Sequence, residues 1–187
     1  MQSGMVIDAV RITDGPNLLD ADLHLPEQGH FATLLLDLLT QAEEGIDVRT
    51  AEFRFDIQLL GRRVVAATDW AAHHPVVGRL PIGYFGASTG AAAALIAAAE
   101  RPAVRAVVSR GGRPDLAGDA LPTVQAPTLL IVGGDDEPVI EMNETALRRM
   151  RAPVELAIVP GATHLFEEPG TLEEVERLAL DWLNRHL

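Results

Sequence analysis

Ten consecutive residues, Pro81-Ile82-Gly83-Tyr84-Phe85-Gly86-Ala87-Ser88-Thr89-Gly90, pass from a short apolar stretch into an alanine-rich one and constrain the chain more than any other segment. They predict a buried strand, a sharp turn and a helix, with Gly86-x-Ser88-x-Gly90 at the turn. A serine at such an apex has a strained backbone, so its neighbours two positions either side must lack bulk where strand and helix approach. Its oxygen is pushed out of the sheet. The N–H groups at the start of the helix then point at any negative charge developing beside it. An ordinary glycine-serine turn would show the same three residues, so the meaning of Ser88 depends on what other strand ends deliver.

Along the chain, residues 6–13 and 18–25 read as a β-hairpin across Asp14-Gly15-Pro16-Asn17. Pro26-Glu27-Gln28-Gly29 breaks the chain, and residues 31–38 are so continuously apolar that a strand covered on both faces is expected. Residues 41–49, with Glu43, Glu44 and Asp47, read as a solvated acidic loop. Between residues 50 and 73, Phe53, Ile57, Leu60, Val64, Ala67 and Ala71 recur at spacings of three and four, which places them on one helical face ended by Pro75.

After the turn, residues 89–100 form an alanine-rich helix suited to close packing on a sheet. Residues 104–109, 128–132 and 154–159 are strands, and 141–151 is a helix. Residues 171–187 form a last helix, opened by the capping-box pattern Thr171-x-x-Glu174. The alternation predicts the α/β class: a single domain over residues 1–187, with a mostly parallel sheet covered by helices on both faces. Between Gly112 and Pro127 there is room for a loop and a turn of helix, so no sizeable lid is expected.

Functional groups in such a sheet collect after the carboxyl ends of the strands. Three strand ends here deliver Ser88, the pair Asp135-Asp136 and His164, in that order. Serine is a poor nucleophile until a base removes its proton, and the imidazole that does so needs a carboxylate to fix its tautomer. Each group supplies what the previous one lacks, and no metal or organic cofactor is needed. Whichever aspartate is not catalytic is expected to cap the following helix.

These residues resemble the α/β-hydrolase superfamily, and most closely its small dienelactone-hydrolase-like branch, from Leu23 onward. The resemblance rests on Gly86-Ala87-Ser88-Thr89-Gly90, on Gly133-Gly134-Asp135-Asp136-Glu137-Pro138-Val139 and on Pro160-Gly161-Ala162-Thr163-His164-Leu165-Phe166. The family's G-x-x-D-x-x-V frame falls on Gly133, Asp136 and Val139, which favours Asp136 over Asp135. Dienelactone hydrolase itself uses cysteine as nucleophile, so Ser88 shifts the expectation toward a serine esterase. The resemblance implies a Ser88–His164–Asp136 triad, with the N–H of Thr89 as an oxyanion donor.

It also exposes a departure, because a strand, an H-G type loop and a helix are expected between Pro26 and Phe31 and only four residues stand there. That loop would carry the second oxyanion donor. Residues 31–38 are therefore expected to take the vacated strand position, so that Leu38-Leu39-Thr40 offers a replacement N–H from Leu39. The activity expected is a carboxylesterase acting on short-chain acyl esters. The alternatives are a lactone or thioester hydrolase with the same triad, or a non-catalytic interaction module on the same scaffold.

The remaining features narrow the partners. A net charge of −12 with no basic cluster argues against nucleic acid and acidic lipid surfaces. The apolar stretches are too short for a membrane span, the first 14 residues lack the pattern of a secretory signal, and the absence of cysteine agrees with the cytoplasm. His73-His74 supplies too few ligands for a metal. Arg110 and Arg113 either border the site and attract an acidic substrate or are solvated loop residues. A small-molecule ester is the expected partner, and a shortened sheet could expose an edge that a second copy covers, as a homodimer.

Overall fold

Alternation of period two builds the N-terminal hairpin: Leu19, Ala21 and Leu23 are buried, whereas Leu18, Asp20 and Asp22, which alternate with them, are exposed. In this computed structural model, which describes residues 5–26 and 31–187, β1 (Met5–Asp14) pairs antiparallel with β2 (Asn17–Pro26). The two-residue turn begins at Gly15, whose φ of 57° is the positive angle that tight hairpin turns require. The chain gathers into two compact units, residues 1–80 and 81–187.

In the first unit, β3 (Thr33–Leu36) joins the free edge of β2, giving an antiparallel sheet in the order β1-β2-β3. This corrects two expectations. Residues 31–38 are not covered on both faces, since Leu35 is 54% exposed while Leu34 packs against the core. Nor do they take a place in the parallel sheet, because β3 is bonded to β2. A strand that follows β2 after a short connection reaches its edge at little loop-closure cost, whereas parallel pairing demands a longer crossover. The shortened connection itself, residues 27–30, lies outside the described residues.

The supposed acidic loop is a helix, α1 (Gln41–Thr50). Thr40 and Glu43 form its capping box: the Glu43 N–H donates to the Thr40 hydroxyl and the Thr40 N–H to the Glu43 carboxylate. The next helix, α2 (Ile57–His73), starts later than its periodicity suggests because the chain before it is bound into a turn. The Asp47 carboxylate accepts from the N–H groups of Phe53 and Arg54, and Asp56 caps α2 through the N–H of Leu59. Ala67 of α2 then packs with Ile12, Leu19 and Ala21, against which Trp70 also lies.

Arg63 on α2 is fully buried. Its guanidinium donates twice to the Glu43 carboxylate at 2.7 Å, once to the Leu38 carbonyl at 2.7 Å, and once to Asp14 at 3.3 Å. The fork joins the end of β1, the segment after β3 and the first turn of α1. A buried charge is tolerated only when it is paired and hydrogen-bonded in this way.

The second unit is a parallel sheet of β4 (Gly83–Ala87), β5 (Ala106–Arg110), β6 (Thr128–Gly133) and β7 (Val154–Val159), in that spatial order. Because the order never reverses, right-handed crossovers put α3 (Thr89–Glu100), the 3-10 segment Pro114–Thr123 and α4 (Glu137–Arg149) on one face. The last helix, α5 (Thr171–His186), covers the other, where Val175, Ala179 and Trp182 meet Ala106, Val108, Leu129 and Ile131. The sheet is thus covered on both faces, as the α/β reading requires, and only the short 3-10 segment lies between β5 and β6.

Two helix starts differ from expectation. Residue Pro138 fits the first turn of α4, where its missing N–H needs no partner, so that helix begins at Glu137 rather than near 141. Thr171 is not a cap: Gly170 holds that position with φ 84°, and the Thr171 hydroxyl donates instead to the Glu168 carbonyl at 2.7 Å.

Arg63, with Thr40 assisting, lowers the Glu43 carboxyl from 4.5 to about 2. The folded value lies below the unfolded one, so this stabilisation is complete above about pH 4.5 and is lost as pH falls toward 2. Thermal unfolding followed by circular dichroism should show the midpoint of Glu43→Gln below that of wild type at neutral pH. The gap should narrow across the acid window.

Candidate active site

The four parallel strands end at one edge of their sheet, and the loops beyond them carry Ser88, residues 110–113, Asp136 and His164. Ser88 follows β4 directly and is the N-cap of α3, with φ 50° and ψ −124°. A residue with a side chain held in such a sparsely populated region carries about 1–3 kcal/mol of strain. The flanking glycines allow it, since a Cβ on Gly86 would stand 2.6 Å from the Gly90 carbonyl oxygen. Backbone bonds hold the turn: the Ser88 N–H donates to the Arg110 carbonyl at 3.4 Å, and its carbonyl accepts from Ala91 at 3.2 Å and Arg113 at 3.0 Å. Thr89 and Gly90, at the head of α3, have no intrahelical acceptor for their N–H groups, which leaves a partial positive charge there.

Asp136 is the N-cap of α4 but makes no capping bond. Its Oδ2 instead lies 2.7 Å from Nδ1 of His164. A carboxylate only accepts, so Nδ1 carries the proton and Nε2 keeps the free lone pair. The Asp136 side chain is 15% exposed and that of His164 40%, which shields the acid and leaves the imidazole open to a reactant. Asp135, expected as the cap, is exposed in the turn before α4, with its N–H bonded to the Ala162 carbonyl at 2.9 Å. It yields the capping position to Asp136.

The histidine loop has its own brace. The N–H and hydroxyl of Thr163 donate to Glu168 at 3.1 and 2.6 Å, and the hydroxyl above all holds the Glu168 carboxyl below its ordinary range. Phe166, two residues after His164, turns inward with φ 58° and is buried.

Residues 110–113 connect the two halves of the site. Arg110 and Arg113 bind the Ser88 backbone, while Gly111, with φ 49°, lies against the histidine; a Cβ there would be 3.0 Å from the His164 carbonyl oxygen and 3.7 Å from its Cε1. Ser88, Asp136 and His164 therefore gather around one loop. Leu39 belongs to the first unit, between β3 and α1, where the Thr40 N–H is taken by Glu43 and the Leu38 carbonyl by Arg63.

Arg113 is paired with Asp115 at 2.8 Å, so it is not a solvated cation. Arg110 places its guanidinium 5.8 Å from the Phe166 ring centroid, and its Nε has no hydrogen-bond partner among the described residues. Among the described residues, no group of three or more His, Cys, Asp or Glu could hold a metal, and no helix is long and apolar enough to cross a membrane. Sequence reasoning passed over Glu168 and the buried Asn143, whose amide bonds to the Gly112 carbonyl. Neither carries a local pattern that announces its partner.

The model of the dienelactone hydrolase family matches residues 40–187, which include all three loops. This chain belongs to the dienelactone hydrolase family. A dienelactone hydrolase from Anabaena variabilis is 49% identical, with a TM-score of 0.93 covering 98% of this chain and 99% of that one. A dienelactone hydrolase-like promiscuous phosphotriesterase from metagenomic libraries, 18% identical, shares the fold with a TM-score of 0.79, covering 97% of this chain and 98% of that one.

Two curated proteins of Mycobacterium tuberculosis, each named "Putative phosphoribosyl transferase", are 60% identical over 158 residues, 84% of this chain and 35% of theirs. This member of the dienelactone hydrolase family thus spans about a third of the length of those relatives. Its family is one of hydrolases, and the three loop motifs fall in the part that the family model covers.

Because a side chain on Gly86 would meet backbone rather than a movable side chain, Gly86→Ala should destabilise the second unit by about 1–3 kcal/mol. Denaturant unfolding checks this, with a lower midpoint expected.

Proposed function

We propose that this member of the dienelactone hydrolase family is a serine carboxylic ester hydrolase. The observation that carries the reading is the 2.7 Å bond from His164 Nδ1 to Asp136, which leaves Nε2 available as a base at the sheet edge that also carries a serine on a strained turn. Ser88 Oγ attacks the acyl carbon while Nε2 takes its proton. The carbonyl oxygen becomes an oxyanion, which the N–H of Thr89 stabilises. As the tetrahedral intermediate collapses, His164 returns the proton to the leaving alcohol and Ser88 keeps the acyl group. Water, deprotonated by His164, then attacks the acyl-enzyme, releasing the acid and restoring Ser88.

Short, soluble acyl esters suit a site where only the 3-10 segment Pro114–Thr123 stands between β5 and β6. A cyclic ester is opened by the same steps, so a lactone is the second reading, favoured by the 49% identity to a dienelactone hydrolase. The transferase name of the mycobacterial relatives describes chains of which this one covers 35%.

Aryl esters of increasing acyl length, with a lactone and a thioester for comparison, test the reading. Wild type should turn over the short esters and Ser88→Ala should not; equal rates would refute it. Asp136→Asn, which removes the acceptor that fixes the His164 tautomer, should lower kcat by about 10⁴-fold.

A further inference from the structure

We propose that Asn143 is a positioning residue for this site: it fixes the loop of residues 110–113 and, through that loop, the alignment of Ser88 with His164. The proposal rests on the serine-hydrolase reading and refines it. Asn143 lies on α4 seven residues after Asp136, two turns along the same face, and is completely buried. Its Nδ2 donates to the Val139 carbonyl at 2.8 Å, within its own helix, and to the Gly112 carbonyl at 3.0 Å. Two carbonyl neighbours accept only from the amino end of the amide, so the orientation of the side chain is settled by chemistry.

The loop needs such a tie. At Gly112 an added Cβ would collide with Ser109 Oγ and stand 2.6 Å from the Ala91 Cβ on α3, while Gly111 has φ 49° and lies against His164. Neither position accommodates a side chain, and two consecutive glycines give a loop more freedom than any other pair. The Gly111 N–H is bonded to Ile131 at 2.8 Å, and the Arg113 N–H to Ser88 at 3.0 Å. Asn143 adds the bond that holds the Gly112 carbonyl between them. Movement of that carbonyl would carry Gly111 away from the histidine and Arg113 away from the Ser88 carbonyl together.

One feature separates this role from packing. Asn143 Oδ1 is buried without a partner among the described residues, and a buried unpaired acceptor is destabilising. A side chain present only to fill space at this point would be apolar. Asn143 also joins the helix that begins with Asp136 to the loop that holds Ser88, so both partners of His164 share one support.

Stopped-flow acylation by 4-nitrophenyl acetate tests the proposal, with Asn143→Leu compared to wild type and to Val104→Ala, a core truncation just before the amino end of β5, opposite the strand ends that carry the site. Asn143→Leu should acylate about tenfold to a hundredfold more slowly, with KM within about twofold, because small misalignments act on the chemical step. Val104→Ala should lose thermal stability and keep the wild-type rate. Acylation by Asn143→Leu within about twofold of wild type, or an equal loss in Val104→Ala, would overturn the proposal. If the leucine variant does not fold, Asn143→Asp, of the same size but lacking the donor, is judged by the same criteria. A wild-type protein that fails to acylate would refute the serine-hydrolase reading and this proposal together, whereas a normal wild type with normal variants would refute only the role of Asn143.

Discussion

Ser88 is held in a backbone conformation that it would not adopt by itself, and the second unit is arranged around the bonds that hold it there. Its N–H and carbonyl are engaged by Arg110, Ala91 and Arg113, and its neighbours Gly86 and Gly90 meet without side chains. The parallel order of β4, β5, β6 and β7 brings the acid and histidine loops to the same edge as the strained serine. The strain is sustained by a sheet whose inner strand β6 is buried along its whole length, and by α3, half of whose residues are buried alanines.

The first unit depends on a different kind of contact. Its apolar core is small, centred on Ile12, Leu19, Ala21 and Ala67, and the buried Arg63 supplements it by tying Asp14, Leu38 and Glu43 together. Removing one partner from such a cluster leaves charge without compensation in a desolvated place, so the cluster is all-or-none in its effect. The second unit has hydrocarbon where the first has a guanidinium, with Trp182, Phe166 and Ile131 all buried.

Much of this was legible in the sequence because the relevant patterns are local. The turn at Ser88, the alanines of α3 and the short apolar runs of β5, β6 and β7 each declare themselves within ten residues or so. The order of Ser88, Asp136 and His164 also follows from the chain alone. The family frame falls on Asp136, and Asp136 is the aspartate bonded to His164.

The failures share a physical cause, which is competition between distant partners. Thr40-x-x-Glu43 and Thr171-x-x-Glu174 look alike on paper. Glu43 is held by Arg63 from another helix and its box forms, whereas Thr171 finds the Glu168 carbonyl and yields the cap to Gly170. Residues 31–38 are apolar enough for a doubly covered strand, yet pairing with β2 exposes Leu35. Asn143 could not be found by pattern at all, because its significance lies in a carbonyl 31 residues away.

The central claim is that Ser88 is a nucleophile activated by His164, and covalent capture tests it without assuming a substrate. Intact-mass spectrometry after exposure to a fluorophosphonate should show a single adduct, mapped by peptide sequencing to Ser88 and abolished in His164→Ala. A wild-type protein that remains unmodified, or an adduct that forms equally in His164→Ala, would contradict the account.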